Sequence, residues 1–552
     1  MSFYQRHLYA TGLFLFLVPT VIFTLSSLIL MVNLPLGGVI YPVSFILALF
    51  LVFWWVFKGE KKISLNVFLF GGIGTLFTVF ALGLSGIFYD VSFDGQWYHQ
   101  DAILFLSDGW NPFYDAGIPD GLVSGNNANY INHYPKATWI YQSVVYLFWG
   151  NIEWGKSLHF HLLFSFGFLL FSFLSQKTVL SVTQRIILVL MAVISPITLG
   201  QLFSFYVDGI LYCFLGLFLL FLLDCVVHHE KRWPLLILSF VFLINIKFTG
   251  LVYALLFAFG CFVYQTWVAK KLSLGPVFRF ILISIMGVFV FGYPTYGRNL
   301  MEKNHIFFPI MGKNNEGRQI AQAQYPSDFY GLNRVEKFLS AHRAIPNYTA
   351  ETHPSVPKKN LFNPKFIQSS IPYYNNHQPV TMSPFGPFEL ELWVFFGLSM
   401  IFFFLFVRER LIYFSCVLFL LSMLIQPEFW NLRYAPQLLW FILLVQGALL
   451  ISSYRIVRLF SLVFCVLFIT NGIIASKENW RWVANRNQQL NETLLELSKK
   501  NVVIYPGWMG SFTLKLKDYN ITSFPSTSRG EGGAVEFYEG DFTGWKYKIV
   551  QE

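Results

Sequence analysis

The stretch FDGQWYHQDAILFLSDGWNPFYD, residues 93–115, decides how this chain is read. It holds four aspartates, a histidine and two tryptophans, and a fifth aspartate, Asp90, stands just ahead of it. It also directly follows an apolar run of about 20 residues, the length that spans a bilayer core. An acidic, aromatic segment in that position belongs at a membrane surface. Its meaning therefore depends on the chain around it.

The chain has 552 residues, of which 55% are hydrophobic and only 12% charged, and its mean hydropathy is +0.53. Many apolar runs of membrane-spanning length predict an all-α polytopic membrane protein with about 13 transmembrane helices. The expected spans lie near 8–32, 39–57, 65–86, 156–174, 186–203, 205–225, 232–246, 248–268, 277–295, 388–407, 409–426, 434–452 and 456–474. The first run is too long for a cleavable signal and lacks a small-x-small cleavage site, so it reads as a retained span. ATWIYQSVVYLFWG, residues 137–150, is too short to cross and is expected to lie in the interface. Cys213, Cys225, Cys261, Cys416 and Cys465 fall within or beside apolar runs, which argues against a disulfide framework or a zinc knuckle.

The formal charge is +10, yet it does not point to nucleic acid. Basic residues cluster in alternate short connections: Lys58, Lys61 and Lys62; Lys177 and Arg185; Lys231 and Arg232; Lys270, Lys271 and Arg279; Arg408 and Arg410; Arg455 and Arg458. Basic short loops mark the cytoplasmic side, which places the N-terminus inside. The same parity gathers three polar segments on the opposite face: 87–155, 296–387 and the tail from 475. The predicted organisation is a membrane domain over 1–474 and a small extracytoplasmic α/β domain over 475–552. In that tail NQQLNETLLELSKK has helical spacing; NVVIYPG, SFTLKLKDY, AVEFYEG and WKYKIVQE read as short strands, and STSRGEGG as a loop.

No P-loop, GxGxxG, HExxH or GxSxG motif occurs, which removes the usual support for ATP-driven transport, dinucleotide redox, zinc proteolysis and hydrolase chemistry. Acidic residues at an outer membrane surface remain. A synthetic enzyme there needs an activated group delivered by the membrane, and a polyprenyl-phosphate sugar is such a group. Asp94 opens a predicted amphipathic interfacial helix, where it either takes a proton from an acceptor hydroxyl or caps the helix. Trp97 and Tyr98 read as belt aromatics or as part of the site. His99 and Asp101 assist proton transfer, bind a metal or supply interface polarity, but two ligands do not make a metal site. No cofactor is required by the pattern; a divalent cation is compatible with it.

Residues 93–115, with INHYPKATWIYQSVVYLFWG behind them, resemble the first external loop of the GT-C membrane glycosyltransferases, the superfamily of protein O-mannosyltransferases and lipid A aminoarabinose transferases. The matching elements are Asp94, Tyr98 with His99, GWNPF and HYPK. The resemblance extends more loosely to YVDGILYCFLGLFLLFLLD around Asp208, INIKFTGLVYALL around Lys247, YPTYGRNLMEKNHIFFPIMG around Arg298 and WNLRYAPQLLW around Arg433. It implies a polyprenyl-phosphate sugar donor, an external aspartate as general base, and a glycan, glycolipid or protein acceptor. On that reading Asp94 is the base with Asp90 as the next candidate, and Lys247, Arg298 and Arg433 hold the donor phosphate. Tyr98, His99 and Asp208 complete the substrate site. For Arg433 a structural pair with Glu428 is the competing role, and for Asp208 a helix cap. The mannosyltransferase branch has Asp-Glu where this chain has Asp94-Gly95, and the chain has two spans ahead of the motif-bearing loop where many relatives have one.

Two other classes compete. A polysaccharide polymerase or O-antigen-ligase-type enzyme would place its chemistry in the 296–387 loop. A secondary transporter would put ionisable residues at mid-membrane in broken helices, whereas the expected spans here hold almost none.

Overall fold

The computed structural model describes residues 3–57, 63–118, 127–228, 232–270, 274–312, 327–343, 386–499, 502–505, 510–523, 538–539 and 546–549. Among them eight helices are long and apolar enough to cross a membrane: Phe3–Met31, Ile40–Phe57, Ile152–Lys177, Asp208–Val227, Phe248–Val268, Leu274–Phe291, Glu389–Phe406 and Arg455–Leu497. This is the architecture of an α-helical membrane protein. Five shorter apolar helices, Leu69–Ser85, Val182–Val193, Trp233–Ile244, Arg410–Ile425 and Gln437–Leu450, pack among them. The five cysteines are free.

The core is built on Asp208–Leu222, in which every residue is buried. A helix apolar on all sides fits only where neighbours surround it. Phe3–Met31 and Ser157–Lys177 pack against each other and Ser157–Lys177 against the central helix, with Trp233–Ile244 on another side. Gly216 makes one of these crossings possible: a Cβ there would stand 2.1 Å from the Trp440 ring. Other helices turn apolar side chains outward. Phe278, Ile281, Leu282 and Ile285 are exposed along Leu274–Met286, a face suited to lipid rather than water.

Several sequence expectations change. The span expected at 186–203 divides into Val182–Val193 and Pro196–Gly200, because Ser195 caps a new helix whose first residue is Pro196. The 137–149 segment, expected on the surface, is the helix Ala137–Trp149 with residues 137–145 all buried. The predicted interfacial helix after Asp94 is likewise inside: Gly95, Gln96 and Tyr98–Ile103 are buried. Hydrophobic spacing marks an apolar face but does not distinguish lipid from protein as its partner.

The 474/475 boundary falls within one continuous helix, Arg455–Leu497. At 43 residues it is roughly 65 Å long, about twice a bilayer core. Beyond it SFTLKLKDY, expected as a strand, is the helix Phe512–Asp518. Its alternating pattern also places Phe512 and Leu516 four apart, and both are buried. The described strands β1 (Val502–Tyr505), β2 (Thr522–Ser523), β3 (Tyr538–Glu539) and β4 (Lys546–Ile549) form a sheet of order β2-β1-β4-β3. β1 is parallel to β2 and antiparallel to β4, which is antiparallel to β3. The STSRGEGG segment and Lys58, Lys61, Lys62, Lys231 and Lys271 lie outside the described residues.

Candidate functional site

Four charged residues from distant parts of the chain meet at helix ends. Asp94 follows Ile63–Ser85, Asp208 begins Asp208–Leu222, Lys247 precedes Phe248–Val263, and Arg433 lies just before Gln437–Leu450. Arg433 donates from Nε to Asp208 Oδ2 at 2.9 Å and from Nη2 to Asp94 Oδ2 at 3.4 Å. Lys247 Nζ donates to Asp208 Oδ1 at 2.6 Å. Asp208 thus holds two cations, and the buried Gln201 supports it, with Nε2 donating to Oδ2 at 2.9 Å. The Asp208 and Arg433 side chains are 1% and 9% exposed, Asp94 and Lys247 20% each. The cluster therefore opens on the side of Asp94 and Lys247.

Aromatic rings wall the cluster. The guanidinium lies 4.4 Å from the Tyr206 ring centroid and the Lys247 ammonium 4.6 Å from that of Tyr434, contacts that strengthen where water is excluded. Burial raises the Asp94 carboxyl above its ordinary value, against the pull of Arg433. A raised carboxyl is the stronger proton acceptor once ionised.

The carboxylates at these helix starts bond to cations rather than to the helix ends. Asp94 occupies the N-cap position of the wide π turn Gly95–His99, yet its side chain makes no capping bond; the carboxylate reaches Arg433 instead. Asp208 is inside its helix, and Val207 holds the cap position without a side-chain bond. Arg433 is bound to Asp208 and Asp94.

Other expected site residues are used elsewhere. Asp90 is fully buried, its Oδ1 accepting from Ser92 N at 2.7 Å and its Oδ2 from Phe205 N at 2.9 Å. Burial pushes its carboxyl up to about 6, and with both oxygens held by backbone amides it serves as a clamp. This clamp also explains Gly95: a Cβ there would lie 1.8 Å from Asp90 Oδ2. The space a second carboxylate's side chain would enter is already filled. Arg298 pairs with Glu302 and donates from Nη1 to the carbonyls of Pro112 and Asp115. It fastens the NPFYD turn, away from the Asp208 cluster's hydrogen bonds. Its neighbour Asn299 donates from Nδ2 to the His133 and Phe308 carbonyls, and its Oδ1 accepts from His133 Nδ1.

Tyr98 is buried and stacks on Tyr130, with ring centroids 5.4 Å apart. His99 accepts from Trp139 Nε1 at Nδ1, 2.6 Å away, and burial pushes it down to about 3. It is neutral near pH 7, and this bond places its proton on Nε2. Asp101 accepts from Ser511 N at 2.7 Å. Among the described residues, no group of three or more His, Cys, Asp or Glu side chains is arranged to hold a metal ion. In the 296–387 loop, where a ligase-type enzyme would place its chemistry, 313–326 and 344–385 lie outside the described residues.

Gln201, Tyr206 and Tyr434 were not legible as site residues. Tyr206 and Tyr434 do stand beside Asp208 and Arg433 in sequence, and that adjacency was the available signal. No family model matches the chain, and no curated protein or solved structure matches it to significance.

Proposed function

We propose that this chain is a membrane glycosyltransferase of the GT-C kind, transferring a sugar from a polyprenyl-phosphate donor to an acceptor on the extracytoplasmic face. The observation that carries the reading is that Asp208 holds Arg433 and Lys247 and that Arg433 also reaches Asp94, all at the ends of apolar helices, where this reading puts a lipid-borne phosphate. Asp208 fixes Arg433 through Nε, leaving the Nη edge beside Asp94. A donor phosphate bound on that edge would bring its anomeric carbon next to the carboxylate. Asp94 takes the proton of the acceptor hydroxyl as its oxygen bonds to the anomeric carbon. The carbon–oxygen bond to phosphate breaks, and the polyprenyl phosphate leaves with the electron pair, its charge met by Arg433 and Lys247.

The same reading takes the eight long and five shorter apolar helices as thirteen crossings, with the N-terminus cytoplasmic and the chain in a bacterial cytoplasmic membrane. Residues beyond the last crossing then form a small extracytoplasmic α/β unit around the β2-β1-β4-β3 sheet. The acceptor is a glycan, a glycolipid or a protein. Purified protein in proteoliposomes should transfer a labelled sugar from a polyprenyl-phosphate donor, and Asp94→Asn should lower transfer by about a hundredfold or more. Uptake of labelled solute without transfer would instead establish a transporter.

A further inference from the structure

The loop that carries Asp94 is held from the C-terminal part of the chain. Asn487 Oδ1 accepts from Tyr89 N at 2.7 Å and its Nδ2 donates to Tyr89 O at 3.0 Å. Ser511 N, at the start of Phe512–Asp518, donates to Asp101 Oδ1. Between these two anchors Lys515 inserts its side chain. The residue is 2% exposed, and Nζ donates to Asp90 O at 2.9 Å and to Gln96 Oε1 at 3.0 Å. Those acceptors flank Asp94 in the sequence, four residues before it and two after. Gln96 Nε2 in turn donates to Ser92 O. One ammonium thus ties together the two arms of the turn on which Asp94 stands.

Burying an ammonium is costly unless its donors are bonded, and an apolar side chain would fill the same space without that cost. What Lys515 adds is a fixed separation between Asp90 and Gln96. We propose that Lys515 is a positioning residue, holding the turn from Asp90 to Gln96 so that the Asp94 carboxylate stays on Arg433. This inference rests on the assignment of Asp94 as the general base.

Lys515→Met removes the donors and keeps the stem. It should lower kcat by roughly ten- to a hundredfold, the cost of a small misplacement of a reacting group, while the donor KM stays within about twofold because Arg433 and Lys247 are untouched. Lys515→Arg should recover part of the loss, and Lys517→Met, at an exposed neighbour, should behave as wild type. Backbone amides of residues 91–100 should exchange with deuterium faster in Lys515→Met. If Lys515→Met does not accumulate, Gln96→Leu, which removes one of the two acceptors, carries the same measurements. Normal kcat with unchanged exchange over 91–100 would overturn the positioning role, as would a loss that only tracks the amount of folded protein. If the wild type transfers no sugar, the glycosyltransferase reading fails by itself; the exchange measurement still decides whether Lys515 holds the turn.

Discussion

Arg433 Nε lies 2.9 Å from Asp208 Oδ2, joining residues 225 positions apart in a nearly dry pocket. Arg433 extends its other edge to Asp94 and Asp208 receives Lys247 on its second oxygen. The pair is therefore the centre on which the rest of the site is hung, and both its chemistry and its stability are open to experiment.

Asp94→Asn should leave the protein folded in the membrane and lower sugar transfer by about a hundredfold or more, the usual scale for loss of a general base. Transfer rates of the purified variant in proteoliposomes check this. Near-normal turnover would remove Asp94 from the role; Asp90, with both oxygens bonded to backbone amides, is not placed to take over.

Asp208→Asn tests the structural side of the pair. Removing the Asp208 charge leaves Lys247 without its carboxylate and Arg433 with only its longer contact to Asp94, an effect of about 3–5 kcal/mol. The thermal midpoint should fall clearly, and further than in Arg433→Lys, where the charge remains. Arg433→Lys loses the planar fork and should lower transfer by roughly ten- to a hundredfold. Equal midpoints for wild type and Asp208→Asn would contradict the ion pairs.

Gly95→Ala should be destabilising by about 1–3 kcal/mol, as overpacking is, because the new methyl group enters the space of the Asp90 carboxylate. Asp90 would have to leave the Phe205 amide. An unfolding midpoint equal to wild type would show that the turn has room to spare.

The pH dependence of stability follows from Asp101 and Asp90. Burial pushes Asp101 up to about 7, against the pull of the Ser511 amide, and Asp90 up to about 6. Both are higher than in the unfolded chain, so the folded state binds more protons in the intervening range. Their contribution is fully present below the unfolded value of about 4 and is lost as pH rises through about 6 and then 7. The thermal midpoint should therefore rise as pH is lowered from about 8 to about 6.5; below that, buried His99, held down to about 3 against an unfolded value near 6.5, works in the opposite direction. Asp101→Asn, which keeps the acceptor for Ser511, should flatten the upper part of that curve and leave the part due to Asp90.

A reporter in the connection at Lys58–Lys62 should appear on the cytoplasmic side and one fused after Glu552 on the outer side, as the alternate basic loops require. Accessibility of the two reporters to a membrane-impermeant reagent decides it. Both on one side would mean that the count of crossings is off by one.

The sequence by itself determined the class of protein and the approximate position of nearly every apolar helix, because a run of apolar residues is a local property with one outcome in lipid. It also marked Asp94, Asp208, Lys247 and Arg433, charges placed where apolar runs end. What only the tertiary structure decided is which of those charges meet. Arg298 looked equivalent to Arg433 in sequence, yet packing turned it toward Pro112 and Asp115; Asp90 was the next candidate after Asp94, yet two backbone amides took its oxygens. Gly95 stood out only as a departure from Asp-Glu and Lys515 not at all, since their roles depend on a carboxylate placed against the glycine and on a helix more than 400 residues downstream of the turn it braces. Such contacts are set by how helices cross and how the tail docks, which hydropathy and spacing along the chain do not encode.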